Sequence, residues 1–188
     1  MAKIRAFIAI NLPESLKKEI SKLIENFKIK NPSQFIKLVS PNNLHLTLHF
    51  LGYLEEKKLN LVKEILSQMT KKLESFSLEI GEIGGFPDLF RPRVLFISLK
   101  EADDKLKNFQ AELGQALEKI GIPVDKRPWQ AHITLARIKN SKVKIRIPKY
   151  EIKHLKFKVF SIDLMKSELF PQGPQYTILE KFSLSPSL

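Results

Sequence analysis

One four-residue pattern occurs twice in this chain of 188 residues, and its residue types are those of proton-transfer chemistry. Residues 45–48 (HLTL) and 132–135 (HITL) both read His, apolar, Thr, apolar, and they hold two of the chain's four histidines. In a β-strand, residues i and i+2 point to the same face, so each copy places an imidazole beside a hydroxyl. Two such strands facing one cleft would supply a base, an acid and two hydroxyl donors. These groups suit in-line displacement at phosphorus.

Strand alternation predicts which neighbours share the cleft with the motifs. His49 is expected on the face of His45 and Thr47, at the edge of the cleft. The same alternation places Phe50 on the opposite, apolar face, which should be buried against helices. The remaining histidine, His154, is expected at the surface of a late strand.

His45 and His49 also form a His-x-x-x-His pair, which on a helix would place two zinc ligands on one face. The alternating sequence around them favours a strand, where four residues span ~13 Å, too far for one metal ion. No nearby Glu completes a metalloprotease motif, and the chain has no Cys. It also lacks a GxGxxG motif, a Walker phosphate loop and a GxSxG nucleophile elbow. We therefore predict no metal and no cofactor.

The composition is strongly basic, with 32 Lys and Arg against 20 Asp and Glu and a net charge of +12. This charge favours a polyanionic partner such as nucleic acid or a phosphorylated metabolite, and a Lys-rich surface that serves only solubility is the alternative. Apolar residues make up 43% of the chain, enough for a sizeable core. The N-terminal apolar run is too short to span a membrane and contains Arg5. We expect a cytoplasmic protein without membrane contact.

Apolar residues spaced three and four apart predict three amphipathic helices, over about 13–28, 55–73 and 103–120. Alternating or continuous apolar runs predict strands over about 3–11, 35–39, 44–51, 76 towards 84–85, 93–99, 131–138, 151–168 and 175–184. The basic segment 139–149 fits neither pattern. Each His-x-Thr strand follows a helix and a short loop. This order predicts an α+β architecture of two related lobes, each with helices packed on a mainly antiparallel sheet. No linker divides the chain, so we expect residues 1–188 to form a single domain.

The extended motifs resemble those of a known superfamily. Residues 45–52 (HLTLHFLG) and 132–137 (HITLAR) are similar to the paired H-x-T-x motifs of the two-histidine (2H) phosphoesterases. Within it, the chain resembles the RNA 2′,3′-cyclic phosphodiesterases, also called 2′,5′-RNA ligases. Further matches run along the chain: 5–10 (RAFIAI), Asn43, 86–87, 93–96, 164–167, Gly173 and Tyr176.

One departure from the family pattern precedes the second motif. The family usually has Pro directly before this His, whereas here Ala131 holds that position, preceded by Trp129 and Gln130. The change affects the approach to the strand more than the chemistry. Trp129 is expected to pack in this approach, with stacking on a base as the alternative.

The resemblance implies a bilobal α+β fold with pseudo-two-fold symmetry, helices outside and a central cleft. It implies a hydrolase that opens a 2′,3′-cyclic phosphate at an RNA end to leave a 2′-phosphate, without a metal ion. By motif position, His45 and His132 are the catalytic pair, and Thr47 and Thr134 hold the phosphate. Which histidine is the base does not follow from the sequence, and we take His132 as base and His45 as acid for the opening of a cyclic phosphate. Arg137 matches the family's basic residue after the second motif. Strand alternation places Arg137 opposite His132, so the strand must end or twist there for Arg137 to reach the phosphate.

Two alternative functions stay open. Some members of the family join tRNA halves through 2′,5′ linkages, so ligation in the same cleft is one alternative. The other is a non-catalytic RNA- or nucleotide-binding module of the same fold, although such a module has no need of two titrating groups. The expected partner is RNA ending in a 2′,3′-cyclic phosphate, with tRNA halves as the partner of a ligase. We expect a monomer.

Overall fold

The computed structural model describes residues 3–101, 104–140, 144–147 and 154–186. Within these residues the helices are α1 (Glu14–Lys30), α2 (Glu56–Thr70) and α3 (Lys105–Lys119), with a 3-10 turn over Pro41–Asn43. The strands are β1 (Ile4–Asn11), β2 (Ile36–Leu38), β3 (His45–Leu54), β4 (Phe76–Phe86), β5 (Val94–Glu101), β6 (His132–Ile138), β7 (Lys156–Val159), β8 (Ser161–Phe170) and β9 (Gly173–Ser183).

The strands form one antiparallel sheet whose order is symmetric about its centre. The order is β7-β4-β5-β6-β3-β1-β8-β9, and the short β2 also pairs with β6. β3 and β6 meet at a single cross-strand pair, Leu46 with Ile133, which are the second residues of the two motifs. Strands β5 and β1, β4 and β8, and β7 and β9 then hold matching places on either side. This arrangement confirms the predicted α+β fold of two related antiparallel halves.

The repeat extends from the motifs to the neighbouring strands. Ala9 of β1 pairs with Thr47, and Phe96 of β5 pairs with Thr134. Each member of the second pair lies 87 positions after its counterpart in the first, the same spacing as the two histidines. The two halves therefore share one register, and a pseudo-two-fold axis passes through the central pair.

The hydrophobic core lies on one face of this sheet, where the helices pack. The apolar stripes of α1 and α3 are buried, as their spacing predicts: Leu16, Ile20, Leu23, Ile24, Phe27, Leu106, Phe109, Leu113 and Leu117. They join one cluster with Ile10, Leu46 and Ile133 of the sheet. A smaller cluster of Phe7, Ala9 and Met165, with Tyr176 against it, lies apart from this core. No helix within the described residues is both long and apolar enough to span a membrane.

A β-bulge follows the threonine in both motif strands. In β3, Leu48 lies between the paired residues Thr47 and His49 and has no partner on β1. In β6, Leu135 takes the same place after Thr134 and has no partner on β5. An extra residue reverses the strand alternation beyond it. The residues that follow each motif therefore lie on the face opposite to the one that simple alternation predicts.

This reversal makes the predicted positions of His49 and Phe50 wrong. His49 points to the helices, is 6% exposed, and donates a hydrogen bond from Nε2 to the Gln110 carbonyl of α3 at 2.8 Å. Phe50 instead lies on the cleft face, is 60% exposed, and has its ring centroid 6.2 Å from that of Phe7. His45 and His49 consequently lie on opposite faces of the sheet.

Several element boundaries also differ from the predicted ones. β3 runs on to Leu54 instead of ending at Gly52, whose φ of +69° accommodates a second bulge. The predicted strand over 151–168 is two strands, β7 and β8, and residues 151–153 lie outside the described part. Within segment 139–149, residues 144–147 form no helix or strand, and 141–143 and 148–150 lie outside the description. His154 is exposed as predicted but precedes β7, where it pairs with Glu79.

Gly114 of α3 makes room for the buried imidazole of His49, and this contact is testable. A Cβ atom at Gly114 would lie 3.0 Å from Cε1 of His49, whose ring is held by Gln110. We expect Gly114→Ala to lower the free energy of unfolding by about 1–3 kcal/mol through this overlap, despite the preference of helices for Ala over Gly. Urea unfolding measures the change.

The control for this prediction is the same substitution in a His49→Ala background. There the overlap is absent, so Gly114→Ala should become neutral or stabilising by up to about 1 kcal/mol. Equal destabilisation in both backgrounds would show that the ring is not the cause.

Candidate active site

The central pair of the sheet brings the two motifs together. Because β3 and β6 run antiparallel with Leu46 opposite Ile133, the register places His45 beside Thr134 and Thr47 beside His132. The positive charge of a protonated His132 accordingly lowers the pKa of His45. The structure thus unites the four motif residues that the sequence predicts as one site.

Each motif imidazole is fixed by the backbone carbonyl two residues before it. Nδ1 of His45 lies 2.6 Å from the Asn43 carbonyl oxygen, and Nδ1 of His132 lies 2.7 Å from that of Gln130. A carbonyl only accepts hydrogen bonds, so Nδ1 carries the proton in both neutral rings and Nε2 carries the lone pair. The Asn43 side chain also donates to the Pro174 carbonyl at 2.7 Å, which ties this anchor to the start of β9.

Aromatic rings enclose both imidazoles. Phe7 and Tyr176 lie 5.0 and 5.2 Å from the His45 ring, centroid to centroid. Phe86 and Phe96 lie 5.1 and 5.2 Å from the His132 ring. These contacts remove water from the rings, which disfavours the charged imidazolium.

Burial is accordingly the main cause of low pKa values at both histidines. It lowers the pKa of His45 to about 4, against the opposing effect of the hydrogen bond to Asn43. It also lowers the pKa of His132, and the charge of Arg137 lowers it further. Both rings are therefore neutral at pH 7 in the free protein.

The two threonines differ in their present partners. The Thr47 hydroxyl lies 2.9 Å from Nε2 of His45 and donates to it, since that nitrogen carries no proton. Thr134 is half-buried, and its hydroxyl makes no hydrogen bond within the described residues. Each hydroxyl can donate to an anionic oxygen that enters between the rings.

Arg137 lies on the cleft face, because the bulge at Leu135 reverses the alternation of β6. Its charge adds to burial in lowering the pKa values of His45 and His132, and it opposes the burial-driven rise of the pKa of Tyr176. The expectation that simple alternation would carry Arg137 to the opposite face is therefore wrong. The bulge supplies the change of direction that the residue needs to face the motifs.

Trp129 packs within the protein. Its indole Nε1 donates to the Thr47 carbonyl oxygen at 3.2 Å, and the half-buried ring lies against the hydrophobic core. The residue before the second motif therefore links the approach to β6 with β3. This contact agrees with the expectation that Trp129 packs in the approach to the second motif.

Four residues at the site carry no catalytic signal in the sequence. Phe7 and Phe50 read as core residues of strands, and Tyr176 appears only among the similarities to the family. Gln130 acts through its backbone carbonyl, which any residue could supply. Phe50 reaches the cleft face only through the bulge after the threonine, which the sequence does not mark.

The described residues contain no group of three or more His, Asp or Glu side chains placed to hold a metal ion. The polar groups of the site are instead two neutral imidazoles, two hydroxyls and one guanidinium. Together they can accept a proton, donate a proton and bind an anion.

Comparison with known proteins gives a family for this arrangement. The LigT-like phosphoesterase family matches the chain twice, over residues 10–96 and 97–176, one match for each motif. A relative from Methanocaldococcus jannaschii, named RNA 2′,3′-cyclic phosphodiesterase, is 36% identical over 95% of this chain and 99% of its own length. A relative of the same name from Bacillus subtilis is 30% identical over 95% of this chain and 96% of its own.

Solved structures share the fold. A protein from Thermus thermophilus superimposes with a TM-score of 0.80 at 32% identity, over 98% of this chain and 100% of its own. Escherichia coli LigT in complex with 3′-AMP gives a TM-score of 0.80 at 25% identity, over 97% and 98% of the two chains. The sequence resemblance is therefore confirmed, and this chain belongs to the LigT-like phosphoesterase family of the 2H superfamily.

Proposed function

We propose that this protein hydrolyses 2′,3′-cyclic phosphates at RNA ends to 2′-phosphomonoesters. The observation that carries the proposal is the pair of imidazoles with matching backbone anchors, which leave Nε2 of each ring as the reactive nitrogen. Relatives at 30–36% identity that bear the name of this activity support it. The proposal treats the chain as one bilobal domain, since the site forms where the two halves of the sheet meet.

In this mechanism His132 is the base and His45 is the acid. His132 Nε2 has no partner within the described residues, so it can take a proton from a water molecule that attacks phosphorus. As that P–O bond forms, the bond from phosphorus to the ribose 3′ oxygen breaks, and His45 gives its proton to the departing oxygen. Thr47, Thr134 and Arg137 donate hydrogen bonds to the non-bridging oxygens, where negative charge increases.

The lowered pKa values affect both roles. Burial lowers the pKa of His45 to about 4, so its protonated form is a strong acid toward a poor alkoxide leaving group. Burial and the charge of Arg137 also lower the pKa of His132, so this ring is neutral at pH 7 and can accept a proton. An anionic substrate between the rings raises both pKa values and favours the protonated state that the acid needs. The imidazoles, hydroxyls and guanidinium cover base, acid and charge stabilisation, so we propose that no metal is required.

The first prediction concerns the two motif histidines. His45→Ala and His132→Ala should each lower kcat by about 10²–10⁴ through loss of proton transfer. The measurement is conversion of an RNA ending in a 2′,3′-cyclic phosphate to a 2′-phosphate, in excess EDTA. His154→Asn is the matched control, because His154 is exposed, lies outside the site and has a φ of +70° that Asn tolerates.

Near-normal turnover by a folded His45 or His132 variant would remove that residue from the mechanism. Loss of wild-type turnover in EDTA, restored by added metal, would contradict the metal-free reaction. Thermal unfolding of each variant distinguishes loss of chemistry from loss of fold.

The second prediction concerns pH. Both motif histidines titrate below 6.5 in the free protein, and the singly protonated pair that the mechanism uses is most abundant between their two pKa values. We expect kcat/KM to rise from about pH 4 and to fall before pH 6.5. A falling limb above pH 7 in kcat/KM would contradict the low pKa values. The kcat profile should lie at higher pH, because bound anion raises both pKa values.

The third prediction concerns Arg137. Arg137→Gln removes a positive charge that lowers the pKa values of both histidines, so the falling limb of kcat/KM should move to higher pH. Loss of a charge-assisted hydrogen bond to phosphate should also lower kcat/KM by roughly ten- to a hundredfold. Arg127→Gln is the control, since Arg127 is exposed and bound to Asp125. An unchanged pH profile in Arg137→Gln would place its charge outside the site.

A further inference from the structure

The pseudo-symmetry of the site fails at the first cleft-facing position beyond each bulge. Phe50 follows the first motif and Arg137 follows the second, 87 positions later, so the two hold equivalent places. At this position the first half of the cleft has an aromatic ring, with Phe50 close to Phe7 and Phe7 in turn close to Tyr176. The other half carries a cation. A substrate with two chemically different ends would therefore bind in one orientation.

The cationic half continues outward along β6 and β2, on what we name the β2–β6 strip: Phe35, Lys37, Arg137 and Lys139. Lys37 lies directly opposite Arg137 in the antiparallel register. The Lys139 amide donates to the Phe35 carbonyl at 2.8 Å, so this pair lies opposite one position further on. Paired residues share a face, and Ile36 and Ile138 between them pack on the core. The four strip side chains therefore lie on the cleft face.

The inner end of the strip reaches the site. The Lys37 ammonium lies beside Gly173 at the start of β9, where a Cβ atom would be 3.5 Å from Nζ. The next residue, Pro174, accepts the hydrogen bond from Asn43, whose carbonyl anchors His45. Lys37 thus lies between the phosphate site and the surface.

The strip cations have no acidic partner, in contrast to some of the other described lysines. Lys17, Lys22 and Lys63 each pair with a glutamate. Within the described residues, Lys37, Arg137 and Lys139 are exposed and pair with no carboxylate. Phe35 beside them is 40% exposed. Unpaired cations next to an exposed aromatic ring are the combination that holds a single-stranded nucleic acid, through phosphates and a stacked base.

We propose that the β2–β6 strip binds the RNA strand that precedes the cyclic phosphate. Lys37 and Lys139 contact successive backbone phosphates, and Phe35 stacks on a base of that strand. This inference rests on the proposed function, because the strip leads away from the site of the cyclic phosphate. A mononucleotide has no such strand, so it reaches the catalytic groups without touching Lys37, Lys139 or Phe35.

The test compares two substrates of wild type and of a Lys37→Ala/Lys139→Ala variant. One substrate is adenosine 2′,3′-cyclic phosphate, and the other is a short single-stranded RNA ending in a 2′,3′-cyclic phosphate. We expect the variant to lose roughly tenfold or more in kcat/KM with the RNA, and to match wild type with the mononucleotide. The loss should lie mainly in KM. For the RNA substrate, the slope of log kcat/KM against log salt concentration should be about 1.4 less negative in the variant than in wild type, because two phosphate contacts are lost.

Two further variants make the test specific. Lys22→Ala/Lys57→Ala removes the same charge from the exposed surfaces of α1 and α2, away from the strip, and should leave both substrates unaffected. Phe35→Ala should lower kcat/KM for the RNA alone by roughly fivefold or more, with no change of salt slope, since stacking involves no counterion. An equal loss of kcat/KM with the RNA in the control variant would show a general effect of net charge. That result would overturn the proposal that the strip binds RNA.

Failure of the strip and failure of the proposed function give different results. Equal RNA activity in wild type and in the strip variant, with both substrates hydrolysed, overturns the strip alone. If wild type hydrolyses neither substrate, the proposed function fails. In that case, fluorescence anisotropy with the same RNA tests whether the strip binds RNA. Weaker binding by the strip variant supports the proposal, and unchanged binding overturns it.

Discussion

The pairing of Leu46 with Ile133 is the constraint on which the site depends. β3 and β6 share only this pair, and it sets their register where the two halves of the sheet meet. Both side chains are fully buried among the helices, which forces the residues on either side of them to the opposite face. A slip of one residue would move the motif imidazoles into the core. The position of the reactive groups is therefore a consequence of core packing.

The same packing explains the properties of the imidazoles. The cleft face is lined by Phe7, Tyr176, Phe86 and Phe96, which exclude water from the rings and lower their pKa values. Backbone carbonyls then select the tautomer in which Nε2 is free. Neither effect needs a charged partner, and a partner carboxylate would raise the pKa values and favour the imidazolium. The site thus holds two neutral rings that a bound anion can bias toward protonation.

The sequence predicted the elements well because their signals are local. Apolar stripes such as Leu106, Phe109 and Leu113 predict a helix and its buried face. The repeated motif predicts two strands whose His and Thr side chains line one site. The bulges at Leu48 and Leu135 could not be predicted, since a bulged leucine and a paired leucine are equally apolar and equally buried. The bulge alone decides whether the following residue enters the core or the cleft. Every wrong assignment of a face, at His49, Phe50 and Arg137, follows from this one feature.

A symmetric arrangement of strands must still act on an asymmetric substrate, and the bulges supply the means. By reversing the alternation at the same place in both halves, they expose one equivalent position on each side of the motifs. The occupants of that position, Phe50 and Arg137, share neither charge nor shape. In the proposed mechanism, the backbone repeat therefore provides two similar proton-transfer groups, while the side chains beyond it distinguish the two sides of the phosphate. A chain that kept Phe or Arg at both positions would hold the same imidazoles without this difference between the two sides.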